Sequence, residues 1–163
     1  KGDTIEIINT DAEGRLLLAD ALWYTQETFK PSGIVDLATL TGAMIVALSK
    51  SIAGHFCNDD DFNAEYLAAC EATGDQTWRM PLDQSYHDQI KSTFADVKNT
   101  GGRNGGACTA AAFLEKFVQE DMPWIHIDIA GVTVAQSGTH LAPKGATGWG
   151  VAALDEMVRG RES

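Results

Sequence analysis

Short runs of β-branched and apolar residues alternate along the chain with longer runs of residues that favour helices. Strands are predicted where the runs are short and bounded by turn residues, and helices where apolar residues recur three or four positions apart. The predicted strands are Thr4–Ile8, Ile34–Ala38, Ile52–Cys57, Ala95–Asn99 and Trp124–Ala130. The predicted helices are Arg15–Phe29, the stretch from the Thr39–Gly42 corner to about Leu48, Phe62–Ala72, Ser85–Lys91, Cys108–Gln119 and Gly150–Arg159. This order predicts an α/β fold with three layers, αβα, around a mostly parallel central sheet. In such folds the loops at the carboxyl ends of the strands usually carry the functional site.

The first predicted helix has an unusual surface. Apolar residues fill nearly every position from Leu16 to Tyr24 and leave little polar face, so this helix is expected to be buried on most sides. Two other stretches lack a regular pattern: Trp78–Leu82 is predicted to be irregular, and the Gly- and Pro-containing stretch Gly131–Gly148 a long loop.

The histidines give no metal-binding pattern. His55, His87, His126 and His140 show neither His-x-x-x-His nor Glu-x-x-His spacing. In the strand Trp124–Ala130, isoleucines occupy alternate positions, so they share one face of the strand while His126 lies on the other. His126 is therefore interpreted as a hydrogen-bonded core histidine.

Composition narrows the class of protein. The chain has 163 residues, of which 44% are hydrophobic and 21% charged, as in an ordinary globular domain. Its formal charge of −11 argues against nucleic acid or an anionic membrane as a partner and suits cations better. No apolar run approaches the ~20 residues that span a bilayer, and three cysteines without a Cys-x-x-Cys pair suggest buried thiols in a reducing compartment. A cytoplasmic location follows as the default.

The chain opens at Lys1 without an initiator methionine and enters a strand pattern within three residues. We therefore expect residues 1–163 to form one segment of a domain whose upstream portion is missing.

The richest cluster of reactive side chains follows the first predicted strand. Asp11 and Glu13 are two residues apart, and in extended backbone such side chains project to the same side, with Cα atoms roughly 6–7 Å apart. They could reach one cation or a close metal pair, in which one carboxylate bridges both ions. Gly14 allows close backbone approach, and Arg15 offers planar donors to an anion. The alternative is that both acidic residues merely favour the N-terminus of the following helix and that Arg15 pairs on the surface.

The segment from Asn9 to Leu16 and the following Leu18–Leu22 resemble the signature of the leucyl (cytosol) aminopeptidase family. The resemblance covers nearly the whole chain and corresponds to the C-terminal part of the catalytic domain. It continues through Asp36–Ala43, Trp78–Leu82, Ala95–Asn99 and Trp124–Gly131.

The resemblance implies a two-metal exopeptidase that releases N-terminal residues, often Leu, from peptides. By position, Asp11 would bind the more exchangeable metal ion, Glu13 would bridge two Mn or Zn ions, and Arg15 would hold a bicarbonate-like anion that acts as general base or stabilises the transition state. The substrate side would be formed by the Leu40 backbone near the reacting centre and by a first side-chain pocket lined by Thr39, Gly42, Ala130 and Thr133. The resemblance also implies a homohexamer.

Relatives supply further metal ligands, a lysine and two aspartates, and a second lysine that polarises the substrate, all from upstream of this motif. Two carboxylates rarely hold a divalent pair, because Mn or Zn takes about four to six donors per ion. We therefore expect the isolated chain to be inactive and to bind metal weakly. Two other functions stay open: a noncatalytic structural or assembly fragment, and an Mg-dependent phosphotransferase, for which a phosphate loop is lacking.

Overall fold

The structure is a computed structural model that describes residues 1–138 and 143–162. Strands and helices alternate along these residues. The strands are β1 (Ile5–Glu6), β2 (Ile34–Ala38), β3 (Ala53–Cys57), β4 (Thr77–Arg79), β5 (Val97–Lys98), β6 (Trp124–Asp128), β7 (Val134–Ala135) and β8 (Gly145–Ala146). The helices are α1 (Gly14–Phe29), α2 (Gly42–Leu48), α3 (Asp60–Thr73), α4 (Gln84–Gln89), α5 (Gly106–Glu115) and α6 (Val151–Glu162).

The central sheet has four strands in the order β2-β6-β3-β4. β2 runs parallel to β6, with Ala38 opposite Asp128, and β3 runs parallel to β4, whereas β3 and β6 are antiparallel. A second small sheet pairs β1 with β5 in parallel. Parallel pairing therefore predominates, which confirms the predicted sheet.

Helices cover both faces of the central sheet, because alternate residues of β6 enter two separate hydrophobic clusters. Trp124 packs with residues of α1, α2 and α5 on one side, whereas Ile125 and Ile127 pack with residues of α3 and α6 on the other. The face alternation predicted for this strand and the three-layer αβα arrangement are both confirmed. α5 is the most deeply buried helix, because every residue from Ala107 to Leu114 is buried.

The expectation that the first helix is buried on most sides is wrong. Only Arg15, Ala19, Leu22 and Gln26 of α1 are buried, and these positions form one stripe at the three- and four-residue spacing of a helix. Leu17, on another face, is 72% exposed. Hydrophobicity alone indicated burial, but within the described chain only this stripe of α1 is buried, while the neighbouring Leu16 and Leu18 are partly buried against the core.

The ends of α3 agree with the sequence. The Asp59 carboxylate accepts a hydrogen bond from the Phe62 amide at 2.7 Å and caps the N-terminus. Gly74 ends the helix with φ +82°, a left-handed conformation that glycine adopts without steric cost.

Several short elements differ from the predicted pattern. β4 overlaps the start of the stretch predicted to be irregular, where it adds an edge strand to β3. β7 and β8 pair within the predicted long loop, whose residues 139–142, including His140, lie outside the described residues. The predicted strand Thr4–Ile8 is shorter in the structure, where only β1 forms. Beyond Glu6, the Ile8 amide donates to the side-chain oxygen of Asn99 and does not continue the backbone pairing with β5.

None of the helices that the structure describes is both long and apolar enough to cross a membrane.

Candidate metal and substrate site

The loop between β1 and α1 carries the two acidic candidates and is held by one buried residue, Asn99. The Asn99 side-chain oxygen accepts a hydrogen bond from the amide of Ile8 at 2.8 Å, and its side-chain nitrogen donates to the carbonyl of Asn9 at 2.7 Å. Asn9 in turn accepts from the amide of Asp11 at 3.0 Å, which forms a local turn. The backbone that leads to Asp11 is thereby fixed.

The Asp11 and Glu13 carboxylates face solvent and have no hydrogen-bond or ion-pair partner within residues 1–138 and 143–162. Glu13 occupies the position before the first helical residue, yet its side chain makes no capping hydrogen bond. The capping alternative thus finds no support at Glu13. Both side chains are open to an external ligand.

Arg15 has a different environment, because it is only 7% exposed. One terminal nitrogen donates to the backbone carbonyl of Asn99 at 2.8 Å, whereas Nε is buried without a partner within the described chain. Burial lowers the pKa of Arg15 from its ordinary value, and the negative charge of Asp128 acts in the opposite direction. The surface-pair alternative for Arg15 is therefore wrong, since this guanidinium is buried and retains an unused donor.

The corner between β2 and α2 is organised by a second buried carboxylate, Asp128, at the end of β6. One Asp128 oxygen accepts from the amides of Leu40 at 3.1 Å and Ala130 at 3.2 Å. The other accepts from the Thr41 hydroxyl at 2.6 Å. Thr41 also caps α2 by accepting from the amide of Met44 at 3.1 Å.

The loop between β1 and α1 and the corner between β2 and α2 meet around an open depression with a volume of about 250 Å³. Four of the predicted site residues line it: Asp11, Arg15, Leu40 and Gly42. The other residues that line it are Asn9, Ala12, Thr41, Ala43, Thr100, Gly102, Arg103 and Gly106.

The other predicted site residues do not line this depression within the described part of the chain. Both Glu13 and Thr39 are exposed. Glu13 lies in the loop between β1 and α1, and Thr39 lies in the corner between β2 and α2. Ala130 is joined to Leu40 through the shared oxygen of Asp128, whereas the Thr133 carbonyl accepts from the amide of Thr147. Nothing in the described structure places Thr133 against Asp11.

Sequence reasoning assigned no role to Asn99 or Asp128. Asn99 is the last residue of a predicted strand, and Asp128 lies two residues before the end of another, close to where an α/β fold places its ligands. That signal was present, but their hydrogen-bond partners are about 90 residues away in sequence. His126 is a hydrogen-bonded core histidine as predicted, because Nδ1 lies 2.6 Å from Oδ1 of Asp36 and the residue is buried.

No group of three or more His, Cys, Asp or Glu residues within the described chain could hold a metal ion unaided. The available donors are nevertheless suitable, since two unpartnered carboxylates two residues apart match the oxygen ligands that Mn and Zn accept. The chemistry of Asp11 and Glu13 would fit a divalent metal site if other residues supplied further donors.

Residues 1–155 match the family model described as the cytosol aminopeptidase family, catalytic domain. A probable cytosol aminopeptidase of Cereibacter sphaeroides is 57% identical over 159 residues, which are 98% of this chain and 32% of the relative. One of Dinoroseobacter shibae is also 57% identical and is matched over 33% of its length.

Solved structures agree with these relatives. A tomato leucine aminopeptidase mutant superposes with a TM-score of 0.89 at 50% identity, over 96% of this chain and 30% of that one. The bottromycin maturation enzyme BotP in complex with Mn superposes with a TM-score of 0.91 at 36% identity, over 99% of this chain and 36% of that one. The chain spans about a third of the length of the curated relatives that it matches.

Proposed function

Because the chain belongs to the cytosol aminopeptidase family, we propose that it carries the metal-bridging and substrate-facing part of a two-metal aminopeptidase. Such an enzyme releases N-terminal residues, typically Leu and other apolar residues, from peptides. The observation that carries the proposal is the meeting of Asp11 and Arg15 with the Leu40–Gly42 corner around one depression.

The proposed metal ligands in this chain are Asp11 and Glu13. Both carboxylates are exposed and unpartnered among the described residues, so binding an ion would not require an existing contact to break. Two divalent ions, Mn or Zn, would supply Lewis acidity and activate water for attack on the scissile carbonyl. The solved relative in complex with Mn supports this class of ion.

Arg15 is proposed as the catalytic cation of this chain. Arg15 lines the depression and its guanidinium is fixed by the Asn99 carbonyl, so it would offer a fixed positive charge to an anion bound there. Such an anion would be bicarbonate, or the negative charge that develops on the substrate.

The substrate-binding residues are proposed to be Thr39, Leu40, Gly42, Ala130 and Thr133. Gly42 and Leu40 line the depression, and Asp128 ties the Ala130 backbone to that of Leu40. Gly42 has no Cβ and the side chain of Ala130 is a single methyl group, which would leave room for an apolar side chain of the substrate.

The site needs more donors than this segment provides. We propose that the metal site is completed by residues outside this segment. They would lie in parts that correspond to the unmatched regions of the relatives, including the upstream part of the catalytic domain. We also propose a homohexameric assembly and a cytoplasmic location. The buried free thiols of Cys57, Cys70 and Cys108 are consistent with a reducing compartment.

The test is hydrolysis of Leu-p-nitroanilide by the full-length gene product, before and after metal removal with a chelator and after addition of Mn or Zn. We expect activity that depends on the added ion. Glu13→Gln keeps the size of the side chain but removes its charge, so it should reduce both metal binding and kcat.

Asp20→Asn is the matched control, because Asp20 is an exposed acidic residue of α1 outside the lining of the depression. It should leave metal binding and kcat unchanged. A metal-replete protein that releases no amino acid from peptides would favour a noncatalytic assembly role. Phosphoryl transfer with Mg would favour the remaining alternative.

A further inference from the structure

Asp128 is a buried carboxylate that connects two segments of the candidate site. It is 1% exposed and lies at the carboxyl end of β6, opposite Ala38 of β2. Its oxygens accept hydrogen bonds from Leu40, Ala130 and Thr41. No other residue that the structure describes bonds both to the Leu40–Thr41 corner and to Ala130.

The two carboxylate oxygens have separate tasks. Oδ1 joins two backbone amides, so it fixes the separation between the Leu40 and Ala130 segments. Oδ2 accepts from the Thr41 hydroxyl, which then presents its own lone pair to the Met44 amide at the start of α2. A charged acceptor forms stronger hydrogen bonds than a neutral one, so the negative charge of Asp128 stiffens this corner.

We propose that Asp128 is a positioning residue for the substrate corner: through Thr41 and the Leu40 amide it holds the Leu40–Gly42 backbone in the orientation that the reaction requires. It acts through these groups and does not contact the substrate. This inference rests on the proposed aminopeptidase function, since that function assigns the Leu40–Gly42 corner to the substrate.

The experiment compares Asp128→Asn with wild type in the full-length gene product. Asparagine keeps an oxygen for the Leu40 and Ala130 amides but removes the charge and the acceptor for Thr41. We expect kcat for Leu-p-nitroanilide to fall about tenfold to a hundredfold, the range expected for small misplacements of reacting groups. KM should change less than kcat.

Thr41 tests the route of the effect. Thr41→Val removes the hydroxyl and should also lower kcat, whereas Thr41→Ser restores the hydrogen bond and should recover most of it. The double variant Asp128→Asn with Thr41→Val should be no worse than the poorer single variant. Additive losses would show that the two residues act separately and would overturn the proposal.

A second readout does not depend on turnover. Hydrogen–deuterium exchange followed by mass spectrometry should show faster exchange in the peptide that contains residues 40–44 of Asp128→Asn, with unchanged exchange in α3. Asp75→Asn is the matched control, because the Asp75 carboxylate accepts from the Gly150 amide at 3.1 Å outside the depression. It should change neither kcat nor exchange at residues 40–44.

The results separate two failures. If wild type cleaves the substrate and kcat of Asp128→Asn stays within twofold, the positioning role is wrong while the proposed function stands. If wild type shows no aminopeptidase activity, the proposed function fails, and unchanged exchange at residues 40–44 would overturn the positioning role as well. If Asp128→Asn slows turnover only in proportion to a loss of folded protein, the role of Asp128 is structural and the proposal is overturned.

Discussion

The side chain of Asn99 holds the backbone of Asn9, a residue 90 positions earlier in the chain. Its amide nitrogen donates to the Asn9 carbonyl at 2.7 Å, and its oxygen accepts from the amide of the preceding residue, Ile8. The Asn99 backbone carbonyl also receives the hydrogen bond of Arg15. Asn99, which is fully buried, thus fixes both the loop that carries Asp11 and the side chain of Arg15.

We predict that Asn99→Ala destabilises the chain by about 1–3 kcal/mol, because it leaves backbone groups of Ile8 and Asn9 without their partner. Asn99→Asp keeps the acceptor for the Ile8 amide but loses the donor to Asn9, so it should also reduce stability. Urea denaturation of the purified chain measures both changes. Asn104→Ala removes an exposed asparagine and should stay within about 0.5 kcal/mol of wild type. Equal stabilities for the Asn99 and Asn104 variants would contradict the prediction.

A second prediction concerns the purified 163-residue chain alone. Asp11 and Glu13 give it fewer donors than the four to six or so that each divalent ion takes. We expect calorimetric titration with Mn to show weak binding that Glu13→Gln weakens further, and we expect no hydrolysis of Leu-p-nitroanilide above the buffer rate. Sustained turnover by this chain would show that residues from elsewhere are unnecessary.

The sequence predicted those elements whose signals are local. The strand Ile34–Ala38 was predicted with the bounds that the structure has, because a turn precedes it and a Thr/Gly corner follows it. Helix α3 was predicted as Phe62–Ala72 and spans Asp60–Thr73 in the structure, where Asp59 and Gly74 mark its two ends. β4 escaped prediction because it is a short edge strand that depends on pairing with β3, a partner distant in sequence.

The candidate site shows the same division. Asp11, Arg15, Leu40 and Gly42 were identified by motif resemblance, and the fold brings them to one depression. Asn99 and Asp128, which hold the two loops in place, have ordinary sequence surroundings. Both residues act through hydrogen bonds between segments that are distant in sequence. The spacing of residue types along the chain does not predict such bonds.

Gly42→Ala should separate activity from stability. A Cβ at Gly42 meets no atom within 4 Å, and the residue begins α2. Alanine favours helices over glycine by up to about 1 kcal/mol, so the variant should be as stable as wild type or slightly more stable. The added methyl group nevertheless enters the lining of the depression, so KM for substrates with a large N-terminal side chain should rise.

Gly160→Ala is the control for Gly42→Ala. Gly160 is a helical position in α6, and a Cβ there also meets no atom within 4 Å. Thermal unfolding measures the stability of each variant of the full-length gene product, and steady-state kinetics measures its KM. We expect an unchanged KM for Gly160→Ala. If Gly42→Ala likewise leaves KM unchanged for both small and large N-terminal residues, Gly42 does not line the substrate pocket.

His55 introduces a pH dependence of stability that is unrelated to the candidate site. It is fully buried in β3, where its two ring nitrogens lie 2.8 Å from the Thr77 hydroxyl and 2.9 Å from the Asn63 side-chain oxygen. Burial lowers the pKa of His55 from 6.5 to about 4; the positive charge of Arg79 adds to this effect, and the Asn63 hydrogen bond opposes it. The folded protein therefore holds a neutral imidazole at pH values where the unfolded chain is already protonated.

Between pH 6.5 and about 4 the unfolded state binds a proton that the folded state does not, so stability must fall as the pH is lowered through this range. The contribution of His55 is fully present above pH 6.5, and its loss by pH 4 is on the order of 3 kcal/mol, because each pKa unit corresponds to about 1.4 kcal/mol. Urea denaturation at pH 7, 6 and 5 measures the slope. His55→Gln should be less stable at pH 7, because it loses a buried ring, but its stability should depend less steeply on pH. Parallel pH profiles for His55→Gln and wild type would show that another group causes the acid sensitivity.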